Sequence, residues 1–116
     1  MAFNVEVAKF AGTPDSSGWT QIYEFKPQEQ EKMDLRGHLF AVVSTTTHEE
    51  GLNSVIAGRE VLLRLHEEYF GNLEGGSFDQ LKRSVSKVMA EFSEQENVQI
   101  ASVAVVKDAC FIAVGG

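Results

Sequence analysis

At 116 residues the chain has room for one domain and not for two. Its 43% hydrophobic and 23% charged residues exclude a disordered polymer and allow a core that hides roughly two thirds of the unfolded surface without disulfide or metal staples. The net charge of -7 excludes a nucleic-acid surface, which needs clustered Lys and Arg, and a surface for anionic membranes.

One cysteine, Cys110, sits in an apolar run and cannot form an internal disulfide, which fits a reducing compartment. The start, Met1 to Phe10, is short, mixed and uncharged at its beginning, unlike a signal peptide. No apolar run approaches the ~20 residues of a membrane helix. A soluble, cytoplasmic protein is expected.

Phe3 to Phe10 alternates, with Phe3, Val5 and Val7 on one side and Asn4 and Glu6 on the other, and predicts a strand. Ala11 to Gly18 reads as a turn. Trp19 to Lys26 alternates again, placing Trp19, Gln21, Tyr23 and Phe25 on one face, and Pro27 stops this second strand. Pro27 to Gly37 is polar and reads as a loop with a short helical turn. Leu39 to Val43 is apolar at every position and predicts a strand covered on both faces.

A polar turn is expected over Ser44 to Gly51, with a helix from Glu49 to Phe70 overlapping its end. Leu52, Val55, Ile56, Leu62, Leu63, Tyr69 and Phe70 recur at helical spacing, and Val61 and Leu65 widen the stripe. After Gly71 and Asn72 a short connector leads to Ser77, where Ser77-x-x-Gln80 has the form of a capping box. Phe78, Leu81, Val85, Val88, Met89 and Phe92 form the clearest helical stripe in the chain. The short connector predicts an antiparallel helix pair. Ile100 to Val106, a turn at Lys107-Asp108, and Cys110 to Val114 then read as a hairpin.

The expected class is α+β: antiparallel sheet, an antiparallel helix pair on one face, order β-β-β-α-α-β-β. Two helices cover one face of such a sheet, yet the strands are apolar on both. The second face needs a cover, either Phe3 to Phe25 folded as a second layer or another chain. The end at Gly115-Gly116, just after a strand, suggests a segment of something longer or a subunit completed by its own copy.

The densest polar cluster runs from Ser44 to Glu50. A functional reading takes His48 as a general acid or base, and Ser44, Thr45, Thr46, Thr47 and Glu49 as ligand-binding groups. A strand-to-helix turn with an N-cap accounts for the same residues more simply. His38, at a strand start, and His66, on a helix stripe, read as packing or surface groups. The three histidines and Cys110 lack zinc spacing, so no metal site and no cofactor are expected. Glu29 to Glu31 and Glu67-Glu68 read as solvated faces, and Arg59 as a stem over the core edge. Gly75-Gly76 and Gly115-Gly116 lack the Lys-Ser/Thr of a phosphate loop. Cys110 reads as an inert buried thiol.

From Leu39 to Gly51 the chain resembles the metal-dependent serine/threonine phosphatases of type 2C. Leu39-Phe40-Ala41-Val42-Val43 matches the family strand, and His48-Glu49-Glu50-Gly51 the end of its turn. The helix pair and the hairpin Ile100 to Val114 follow in the family's order. The resemblance covers nearly the whole chain as the N-terminal half of a family domain, in a degenerate, bacterial-type form. It implies half of a four-layer αββα sandwich.

The resemblance also implies a lost activity. The family's metal-holding Asp-Gly is Ser44-Thr45 here, and Trp19-Thr20-Gln21-Ile22 stands near its Arg-x-x-Asn-Glu-Asp. The later Gly-Asp-Ser-Arg is absent from the sequence. Hydroxyls carry no charge to offset two hard cations, so the water-activating centre is not expected. The sequence therefore predicts a non-catalytic phosphatase-like module acting through a protein partner or as a homo-oligomer, a dimer in the first instance. The alternative is an enzyme: a divergent metal-dependent phosphoprotein phosphatase with its site rebuilt, or another αββα hydrolase. The amidohydrolase type needs a nucleophile as first residue, whereas this chain starts Met1-Ala2.

Overall fold

The computed structural model describes residues 18–46, 51–92 and 97–116. The strand expected at Phe3 to Phe10 lies outside them. Seven elements follow in order: β1 (Gly18–Phe25), α1 (Gln30–Arg36), β2 (His38–Thr46), α2 (Gly51–Gly71), α3 (Ser77–Phe92), β3 (Asn97–Val106) and β4 (Ala109–Gly115). The fold is α+β, with a four-stranded antiparallel sheet in the order β1-β2-β3-β4.

Strand alternation divides the sheet into two faces. On one face Leu39, Ala41 and Val43 of β2 join Val98, Ile100 and Ala104 of β3 in the buried core. The helices supply Val61, Leu62, Leu65, Tyr69 and Phe70 from α2, and Leu81, Val85 and Val88 from α3. Each fully buried aliphatic side chain contributes ~1.5–3 kcal/mol relative to exposure. Gly58, early in α2, lies near Gln21 and Thr45, while Tyr69, late in α2, packs in the cluster with Leu39. Leu81, early in α3, shares that Leu39 cluster, and Met89, late in α3, lies against Gly115. The two helices therefore run antiparallel, as their connector predicts.

Several local expectations shift. Residues 30–36 form two turns of helix rather than a short turn in a loop, so the described order is β-α-β-α-α-β-β. β2 continues through Ser44, Thr45 and Thr46, because β1 and β3 pair with those residues: Thr45 stands opposite both Trp19 and Val98. Pairing on both sides outweighs the turn preference of the hydroxyl residues. In α2, Ile56 and Leu63 are exposed and Val61 and Leu65 are fully buried. Arg59 is exposed as well. The helix meets the sheet on the side centred on Val61 and Leu65, so the apolar stripe is wider than the contact it makes.

The capping box does not form. Ser77 is the first residue of α3, and its hydroxyl donates to the Leu35 carbonyl. The Gln80 amide donates to the Glu68 carbonyl at 2.7 Å, crossing to α2. Both side chains tie α3 to its neighbours rather than to its own free backbone groups.

The connector between the helices is held by Arg36, which is fully buried. Its guanidinium donates to the carbonyls of Leu35 (3.0 Å), Asn72 (2.7 and 3.1 Å), Glu74 (2.9 Å) and Gly75 (3.2 Å), and to the Ser77 hydroxyl (3.5 Å). Tyr69 donates back to the Arg36 carbonyl at 2.6 Å. Next to Arg36, Gly37 caps α1 with φ 71°, and a Cβ there would lie 2.0 Å from the Val105 carbonyl oxygen. Only glycine fits this turn from α1 into β2.

Candidate functional site

The face of the sheet turned away from α2 and α3 exposes Val42, Ile112 and Val114. The register aligns its side chains in rows across all four strands. One row runs Glu24, Phe40, Val103, Ile112 and the next Ile22, Val42, Ala101, Val114. Val42, Ile112 and Val114 are 41%, 64% and 71% exposed, so the face is open at its centre and along β4. Two shallow hollows lie on it. One, of about 520 Å³, is lined by Val42, Ser44, Gln99, Ala101, Val114 and Gly116. The other, of about 200 Å³, is lined by Ile22, Phe40, Val42, Ala101, Val103 and Ile112.

Polar groups sit at the ends of this face. At one end, His38 Nε2–H donates to the Glu24 carboxylate at 2.8 Å and its ring lies 4.2 Å from that of Phe40. At the other end, Thr20, Ser44 and Gln99 form the last row.

The hydroxyl cluster is split by strand geometry. Ser44 is half-buried on the open face, Thr45 is buried on the helix side beneath Gly58, and Thr46 is exposed. Thr47, His48 and Glu49 lie outside the described residues. Ser44 lies six positions beyond His38 along β2, about 20 Å in an extended strand, so this hydroxyl and this imidazole cannot form a nucleophile and base. Cys110 is exposed on the open face rather than buried.

His66 lies on the other side of the sheet. Its Nδ1 is paired with the Tyr23 hydroxyl, and its ring contacts Phe25 and Phe70 at 4.5 and 4.9 Å. Burial holds His66 below the usual histidine range, with Lys32 adding to the effect and Glu67 opposing it. Burial pushes the Tyr23 phenol up to about 12. The neutral imidazole accepts and the phenol donates, a structural link between α2 and β1.

Among the described residues, no three His, Cys, Asp or Glu side chains are grouped so as to hold a metal ion. No described helix is long and apolar enough to cross a membrane. Compared with known families, curated proteins and solved structures, the chain finds no match in any of the three.

The sequence named the apolar strands but not the rows. Ile22 and Phe40 become neighbours of Ile112 and Val114 only through the pairing register, which is set by contacts distant in sequence. Arg36 carried no signal beyond its place before Gly37.

Proposed function

We propose that the domain is a non-catalytic, phosphatase-like module that acts through protein contact, and that it assembles through the open face of its sheet, in the first instance with a second copy as a dimer. One observation carries this reading: a largely apolar face spanning four strands, with exposed Val42, Ile112 and Val114, on the side of the sheet away from the helices. Four strands about 4.8 Å apart and some six residues long give a face of about 400 Å². A stacked pair removes such a face from water on each copy, and the apolar part of that area supplies the driving force that must exceed the cost of association. Two such sheets stacked about 10 Å apart would make a four-layer arrangement, helices outside. The resemblance to one half of an αββα sandwich supports the same assembly.

The test is sedimentation of the wild-type chain beside Val42→Glu. Val42 lies mid-face and is 41% exposed, so the carboxylate stays solvated in the single chain and becomes buried in the stacked pair. Wild type is expected to be heavier than Val42→Glu. Equal masses would end the stacking reading. Manganese-dependent hydrolysis of p-nitrophenyl phosphate, lost in His48→Ala, would overturn the non-catalytic part.

A further inference from the structure

β4 is an end strand of the described sheet. Natural end strands are guarded by charges, proline, bulges or covering segments. β4 reads Ala-Cys-Phe-Ile-Ala-Val-Gly, with no charge and no proline in its seven residues, and its pairing with β3 runs without a bulge. The chain as a whole carries a net charge of -7, which opposes most contacts between copies. Along β4 that opposition is absent.

The hairpin geometry says which groups are available. β3 and β4 are joined by two residues, Lys107 and Asp108, and Val106 pairs with Ala109. In such a hairpin the flanking pair exchanges both hydrogen bonds. The backbone groups of Ala109, Phe111 and Ala113 therefore face β3. Those of Cys110, Ile112 and Val114 point away from it. The Ser102 hydroxyl, which donates to the Ala113 carbonyl at 2.8 Å, agrees with this assignment.

We propose that this edge of β4 pairs antiparallel with β4 of a second copy, about a two-fold axis at Ile112. In that register Ile112 meets its own copy, and Cys110 meets the copy's Val114. All three outward-facing residues then pair, giving six backbone hydrogen bonds. On the helix side Phe111 falls opposite the copy's Ala113, a large side chain beside a small one. Phe78, 46% exposed with its ring 5.7 Å from Phe111, becomes covered at the same seam. A register shifted along the strand loses outward pairs and sets Phe111 against Phe111 or against the strand's end. A contact along one short strand is small beside stable interfaces, so it is a weak, concentration-dependent pair.

The edge contact uses the backbone of Cys110, Ile112 and Val114, whose side chains also belong to the open face, so the experiment keeps the two contacts apart by working in Val42→Glu, where stacking is blocked. Sedimentation velocity of Val42→Glu over a concentration series is expected to reach two chains. Adding Ile112→Pro should hold it at one chain. Proline is tolerated there because the Ile112 N–H does not serve the β3 ladder, and an unchanged far-ultraviolet spectrum checks this. In Val42→Glu/Cys110→Ser/Ile112→Cys, mild oxidation should give a disulfide-linked pair, because facing residues lie about 5.5 Å apart. A Val42→Glu chain that stays single at all concentrations would overturn the edge contact. So would a pair that survives Ile112→Pro, or one in which residue 112 fails to cross-link. None of these outcomes touches the stacking reading, which is decided by wild type against Val42→Glu.

Discussion

Replacing Arg36 by Met tests what keeps the helix pair on one face. The methionine retains much of the volume and removes every donor. Five acceptors lose their partner: the carbonyls of Leu35, Asn72, Glu74 and Gly75, and the Ser77 hydroxyl. Asn72, Glu74 and Gly75 are exposed residues, so their carbonyls can turn to water. Leu35 O keeps the Ser77 hydroxyl. Water replaces the guanidinium imperfectly, and the net loss is set at about two charge-assisted bonds, ~1.5–3 kcal/mol each. Against this, the buried guanidinium no longer has to be desolvated, the same burial that lowers its pKa in the folded chain. The net expectation is a loss of about 3 kcal/mol, a large share of the ~5–15 kcal/mol typical of a domain. Urea unfolding followed by circular dichroism measures it. With a slope near 1.5 kcal/mol per molar, the midpoint falls by about 2 M. Arg36→Lys should lose most of the same amount, since one ammonium cannot span acceptors spread from residue 35 to residue 77. A midpoint shift below about 0.5 M in Arg36→Met would refute the assignment of Arg36 as the clamp on this connector.

Gly37→Ala is expected to cost at least about 3 kcal/mol, because it combines a glycine-only backbone with contact against the Val105 carbonyl. A thermal midpoint within a degree or two of wild type would show that the α1–β2 turn relaxes freely. The third prediction concerns pH. His66 has its folded-state pKa below the unfolded value near 6.5, so the unfolded chain binds the proton more readily. Its contribution is intact above about pH 6.5, declines as pH falls from there through the folded pKa, and is level below. Urea midpoints between pH 8 and pH 5 should fall in wild type and fall less in His66→Phe. Parallel curves would remove His66 from the account.

The sequence carried the class of fold and the helix pair because those rest on local periodicity. Phe78 to Phe92 repeats at helical spacing, and the connector before it is too short for anything but an antiparallel return. The apolar runs of β2, β3 and β4 also announced a sheet with two greasy faces, and so a face left over once the helices were placed. Local pattern was silent where a residue's role is set by partners far along the chain. Ser44 to Thr46 read as a turn by composition, yet strands on both sides supply their backbone partners. Ser77 and Gln80 had the spacing of a cap and instead bond to Leu35 and Glu68. Arg36 gave no local signal and is enclosed by carbonyls some 36 to 39 residues away.

The sequence by itself determined that this chain is an α+β domain with more apolar surface than one helix layer can hide. Only the tertiary structure decided which residues make up the open face, that Ser44 and Thr45 point to opposite sides, and that Cys110, Ile112 and Val114 turn their backbone groups outward. Periodicity is written into each segment, whereas pairing register arises from long-range hydrogen bonds that no single segment encodes.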